Sequence, residues 1–201
     1  MRTIIVITAG LVVFILAAGC LTISRQKFSL DTDTGIVMHE YLDLGSKKGD
    51  EKNYSAANDW TALKQAVEDN KPEFDTDVVE DISKVLFEEN KTLCARRVQK
   101  VKCPKCFPSK TDLLIYVHDK DSRIETINEE IVLIMPASKN IISTNGQPVK
   151  TKSSSLIFWP KETTRFEYLV SDATTGGVSL LPYYLKEKNN CIGPHRDAAL
   201  R

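Results

Sequence analysis

The chain has 201 residues, of which 42% are hydrophobic and 27% charged, with Lys+Arg and Asp+Glu balanced at 27 each. That is enough for one domain with a real core, or two small ones, and it excludes both a disordered chain and a polytopic membrane protein. The even charge balance provides no basic field for counterion release, so nucleic acid is excluded as a partner class.

After Arg2, no charged residue occurs before Arg25. The runs Ile4-Ile5-Val6-Ile7 and Leu11-Val12-Val13-Phe14-Ile15-Leu16 form an apolar segment of signal-peptide length, ending in Leu16-Ala17-Ala18-Gly19-Cys20. Small residues ahead of a cleavage point let the backbone lie extended in a peptidase groove. A Cys directly after them resembles a bacterial lipobox, with Ala17 where Leu is commonest. The resemblance implies a diacylglyceryl thioether on Cys20, with residues 1–19 removed as a signal peptide. Two or more acyl chains would hold the protein at a membrane, at ~0.8 kcal/mol per buried methylene. The rival readings are an uncleaved helix of about 20 apolar residues and an ordinary secretory signal. All three place the domain outside the cytoplasm. Leu21, rather than Asp, after the lipobox Cys implies the outer membrane where the source has one.

In the mature chain, Thr22 to Leu30 reads as a strand. Ile36, Met38, Leu42 and Leu44 lie on one parity of a second, half-buried strand. The turn Asp31-Thr32-Asp33-Thr34-Gly35 between them predicts a β-hairpin. Residues 46–57 are polar and read as a loop. Two helices are then predicted. Asn58 or Asp59 caps the first, with Trp60, Leu63 and Val67 on its apolar face. Asp75 caps the second, where Val78, Val79, Ile82, Val85 and Leu86 fall at i, i+3, i+4 spacing. The remainder reads as strands: 93–101, 111–118, 123–135, 154–159, 164–170 and 178–185. Pro136 ends one of them, Asn145-Gly146 marks a turn, and Thr174 to Gly177 make the last turn.

The order predicts an α+β fold, an antiparallel β-sheet faced by two helices and preceded by a lipoprotein signal peptide. Its divisions are a signal peptide at 1–19, a lipidated N-terminus and hairpin at 20–57, a helical pair at 58–92, antiparallel strands of the same domain at 93–190, and a loose tail at 191–201. A β-sandwich with a helical insertion is the alternative.

Three stretches are similar to poorly characterised bacterial lipoproteins of the LppM-like kind. These are Cys20 with the hairpin around Asp31 to Gly35, the helix containing Trp60, and the segment from Met135-Pro136 through Asn145-Gly146 to Phe158-Trp159. The resemblance implies an envelope-anchored α+β domain without known enzymatic activity. It carries over no functional residues.

Cys94, Cys103, Cys106 and Cys191 remain after lipidation, an even number in an exported protein. Three readings stay open. Structural disulfides would link Cys94 to Cys103 or Cys106, with Cys191 pinning the C-terminal segment to the remaining thiol. A zinc site on Cys94, Cys103, Cys106 and Cys191 would use Cys103-Pro104-Lys105-Cys106 as one knuckle, but a second knuckle is missing. A redox pair would need Cys103 and Cys106 exposed near a helix start.

Other candidates are weaker. Asp31 and Asp33 lack the remaining ligands of a calcium loop. His39, His118 and His195 stand singly, with His118-Asp119 and Asp121 reading as a solvated turn. Ser153 to Ser155 lack nucleophile-elbow glycines. Trp60 and Trp159 read as core anchors. Arg96, Arg97, Lys100, Lys102 and Lys105 form a local basic stretch, which could touch anionic lipid but which strands commonly point to solvent. No catalytic constellation and no cofactor are expected. The functional expectation is a non-enzymatic binding or structural module in the cell envelope. Its partners are the membrane, through the lipid, and an envelope protein or lipid. The alternatives are a lipid or hydrophobic-ligand carrier and a thiol-redox or zinc-binding protein. An open apolar cavity between layers favours the carrier, and a filled core favours the interaction module.

Overall fold

A computed structural model describes residues 21–47, 55–69, 77–118, 122–172 and 177–191, with the side chains of 190 and 191 left aside. The signal segment and Cys20, Asp75, Asp119, Asp121, Thr174, Thr175 and His195 lie outside the described residues.

Strands dominate, and the predicted sheet faced by two helices is not what forms. Two antiparallel sheets pack together, which is nearer the sandwich alternative. The larger sheet contains β1 (Leu21–Asp31), β2 (Ile36–Ser46), β3 (Val79–Glu89), β4 (Thr92–Val101), β7 (Lys139–Thr144) and β10 (Arg165–Asp172), in the order β3-β4-β2-β1-β10-β7. A short β11 (Val178–Ser179) pairs with the end of β2. The smaller sheet runs β5-β6-β9-β8, from β5 (Arg123–Ile127), β6 (Glu130–Pro136), β8 (Gln147–Lys150) and β9 (Ser154–Pro160). The helices are α1 (Ala56–Glu68), α2 (Lys110–Val117) and α3 (Leu181–Cys191).

The β1–β2 hairpin forms as the turn residues predict. Asp31 Oδ1 accepts from the backbone N–H groups of Asp33 and Thr34, and Gly35 takes φ +73°. The Thr34 amide is the main reason the Asp31 carboxyl falls below its ordinary range. The inward parity of β2 differs from the expectation. Val37 and Tyr41 are buried whereas Ile36 and Met38 are only half-buried. Asp43 takes φ 58° without shifting the register with β1, and Leu44 beyond it is buried.

The predicted second helix is strand β3. Its register slips between Asp81 and Ser83, so inward positions run Val79, Asp81, then Lys84 and Leu86. A bulge inside a period-two pattern imitates helical spacing over this length. Conversely, residues predicted as a strand at 111–118 form α2. The Ser109 side chain accepts from Asp112 N–H at 3.1 Å and donates to its carboxylate at 2.6 Å, a reciprocal N-terminal cap. The segment expected as a strand at 178–185 keeps two strand residues and then turns into α3, with Pro182 in the first turn. The single strand expected at 123–135 is the β5–β6 hairpin, turned by Asn128 and Glu129 at φ 49° and 66°.

Two apolar clusters line one face of the larger sheet. The first lies between the sheets and α2, and includes Phe28, Leu30, Val37, Leu113, Val117, Leu133, Ile157, Trp159 and Phe166. The second lies under α1 and α3, and includes Tyr41, Leu44, Trp60, Leu63, Leu93 and Leu180. Asn145-Gly146 does not close a hairpin but marks the corner where the chain passes from the larger sheet to the smaller. There the Asn145 side chain accepts from Trp159 Nε1 at 2.9 Å and from Glu167 N–H at 2.9 Å.

Candidate functional site

Cys103 and Cys106 are bonded to each other, with Cα atoms 5.3 Å apart. The expected bridge from Cys94 to this turn does not form, because Cys94 is a buried thiol within β4. Cys191 has no described side chain, so the bridge and zinc readings that involve it lie outside the described residues. Among the described residues, no group of three or more His, Cys, Asp or Glu side chains is arranged to hold a metal ion.

The bridged turn follows β4. Pro104 to Cys106 form one turn of 3-10 helix, and α2 begins four residues later at Lys110. Backbone bonds from Val101 N–H to Gly35 O (2.8 Å) and from Lys102 N–H to Val78 O (2.9 Å) fasten its entrance. Cys106 N–H donates to Cys103 O at 3.0 Å within it. Pro104 lies directly on the β1–β2 hairpin, since a Cβ on Gly35 would stand 2.7 Å from Pro104 Cγ. Phe107 packs against the first cluster and the Tyr116 ring, 5.3 Å away. Both bridged cysteines nonetheless remain solvent-exposed, as do Lys102 and Lys105. A disulfide that closes so short a loop restrains the unfolded chain by about 2 kcal/mol in the chain-entropy model.

A second feature is a groove of about 520 Å³ on the opposite face of the larger sheet. Arg25, Lys27 and Glu40 line it, together with Glu89 at the β3–β4 turn and Asn145 and Glu167 near the sheet corner. The nearly buried Glu40 carboxylate pairs with Lys27 at 3.3 Å and with Arg96 Nε. The Arg96 guanidinium also covers the Phe87 ring, 4.9 Å from its centre. Charges of both signs therefore neutralise one another along the groove floor.

A third feature was not legible in the sequence. His39 and His118, which read as unrelated, both pack on Phe28, with ring centres 5.1 Å away in each case. His118 is buried rather than part of a solvated turn, and its Nε2 shares a 2.6 Å hydrogen bond with Tyr168 Oη. His39 keeps some solvent-exposed surface, yet crowding by surrounding protein pushes its pKa down to about 3, helped by His118 and Arg97.

Of the basic stretch, Arg96, Lys100, Lys102 and Lys105 are exposed, as expected, and Arg97 is the exception. Arg97 is buried and grips Asp81 with two bonds of 2.7 and 2.8 Å. Burial pulls its guanidinium down to about 10 and pushes the Asp81 carboxyl up against the charge of Lys84. Trp60 and Trp159 are buried core residues, as read from the sequence. Ser155 is buried, donates to Lys139 O and accepts from Lys150 Nζ at 2.9 Å, which is a structural arrangement. Asp31 and Asp33 serve the hairpin turn.

No protein-family model, curated protein or solved structure matches this chain. No helix among the described residues is long and apolar enough to cross a membrane.

Proposed function

We propose that the chain is a cell-envelope lipoprotein, anchored through Cys20, whose domain is a non-enzymatic interaction module held close to the membrane surface. The observation that carries this reading is the apolar run ending in Leu16-Ala17-Ala18-Gly19-Cys20, and the next residue, Leu21, is already part of β1. A lipid on that sulfur would leave no linker, so the Leu21 end of the larger sheet would rest at the bilayer. The interior favours an interaction module over a lipid carrier, because Trp159, Phe166, Leu133 and Ile157 fill the space between the layers. The described groove is instead charged and lies on the open sheet face.

Intact mass of the membrane-extracted protein tests the anchor. The expected product starts at Cys20, carries acyl mass on it and is lost from the membrane fraction in Cys20→Ser. A chain that retains Met1 and an unmodified Cys20 sulfur overturns the reading.

A further inference from the structure

We propose that Cys103 and Cys106 form a thiol–disulfide exchange site, acting as a disulfide donor to a dithiol of another exported protein. This adds an activity to the module read above as non-enzymatic; it rests on export but not on the lipid. Three observations converge. First, the bond joins a turn to itself across a sequence separation of three, and no second element is stapled by it. Second, the turn is held without it. Its entrance is fixed by backbone bonds to Gly35 and Val78, its Pro104 is seated on the hairpin, and its half-buried Phe107 packs against the core on the exit side. Opening the bond would therefore leave the two thiols side by side and ready to close again. Third, both cysteines are exposed, while Cys94 is buried about nine residues back along β4, roughly 30 Å at strand rise. Among the described cysteines, exchange is thereby confined to the pair. Exposed disulfides are the labile ones, and those of the catalytic type belong to this class.

The placement adds a direction. The turn sits beside Gly35, at the far end of β1 from Leu21. The eleven residues of β1 span roughly 35 Å. An anchored chain would hold the pair outward from the membrane, where a soluble exported partner meets it.

In the reaction, a thiolate of the partner attacks one sulfur of the pair. The Cys103–Cys106 bond breaks, a mixed disulfide forms, and the other sulfur leaves as thiolate and takes a proton from water. The partner's second thiolate then attacks the mixed disulfide. The partner leaves with a new disulfide and the pair leaves as a dithiol. The pair gains two electrons and two protons, and the partner loses both. A protein or low-molecular-weight disulfide restores the starting state.

The test uses the full chain, extracted in detergent and oxidised, with reduced glutathione as the probe under native conditions. Acid quench, alkylation and peptide mapping follow Cys103 and Cys106 separately from Cys94. Opening at least tenfold faster than Cys94 is labelled, with unchanged near-UV circular dichroism, is the expected result. Cys106→Ser, treated instead with glutathione disulfide, should accumulate one glutathione on Cys103 with release of one reduced glutathione. With glutathione disulfide as oxidant, the wild-type chain should speed reactivation of reduced, unfolded ribonuclease several-fold, and the Cys103→Ser/Cys106→Ser double variant should not. A pair that stays closed, a fold that collapses when it opens, or equal ribonuclease recovery with both proteins overturns the proposal. None of these readouts involves Cys20, so failure here and failure of the anchor remain distinct.

Discussion

The two apolar clusters share one sheet face but are built differently. Among the described residues, sixteen buried side chains from two sheets and α2 make the first, against eight in the second. The second is roofed by α1 and α3, and α1 is flanked on both sides by chain outside the described residues. One cluster is closed by cross-strand pairing with distant segments. The other depends on two helices that touch through Trp60, Tyr184 and Glu187, with the Trp60 indole donating to Glu187 at 3.1 Å. Local opening is cheapest where fewest apolar contacts are lost, so the helical roof should loosen before the sandwich does.

Substitutions can break or sharpen that contrast. Phe166→Ala removes a fully buried ring packed edge-on against Trp159. It should cost about 3–5 kcal/mol of global stability, read as one cooperative urea transition shifted to lower denaturant. Leu63→Ala, also fully buried, should cost about 2–4 kcal/mol. Its effect should appear first as faster amide exchange in α1 and α3, with the sandwich amides still protected. Equal loss of protection in both regions would erase the distinction.

The seam between the clusters holds the ionisable groups. Asp81→Ala would leave the Arg97 guanidinium buried without its carboxylate partner. Partial exposure of Asp81 reduces the usual penalty for such a break, and about 2–3 kcal/mol in chemical denaturation is expected. Gly35→Ala combines an unfavourable positive φ with a close approach to Pro104, and should cost about 1–3 kcal/mol by thermal melting. His39 has an effect that shows only as the pH falls. It joins the clusters, with Phe28 of the first and Tyr41 of the second both within ring-contact range. Its folded pKa of about 3 lies below the unfolded value near 6.5. The unfolded state therefore takes up the proton first as pH falls. Stability is full above about pH 6.5 and declines between there and about pH 3, by at most about 1.4 kcal/mol per pH unit. Denaturation midpoints across that range should flatten in His39→Gln.

What was legible in the sequence was short-range. The β1–β2 hairpin followed from Asp31 and Gly35, α1 from Trp60 and Leu63, and the core roles of both tryptophans from their size and setting. The failures have local causes. The bulge at Ile82 disguised β3. The run from Leu113 to Val117 is apolar enough for a strand, yet the Ser109–Asp112 pair just ahead of it caps it as a helix. The cysteine motif was visible, but its pairing depended on Cys94 lying inside a sheet, which only tertiary packing decides. The meeting of His39 and His118 on Phe28 joins positions 79 residues apart by number, and no periodicity encodes it.

Among the described residues, strand β3 ends the larger sheet with one side unpaired and carries the exposed side chains Ile82 and Val85. A long, smooth, apolar edge of that kind would invite another chain to add a strand and start a fibril. The register slip at Asp81 to Ser83 falls in the middle of this edge and breaks its straight run of amides and carbonyls. The irregularity that disguises the strand in the sequence thus also keeps neighbouring copies from zipping onto it, a protection that deleting Ile82 would remove.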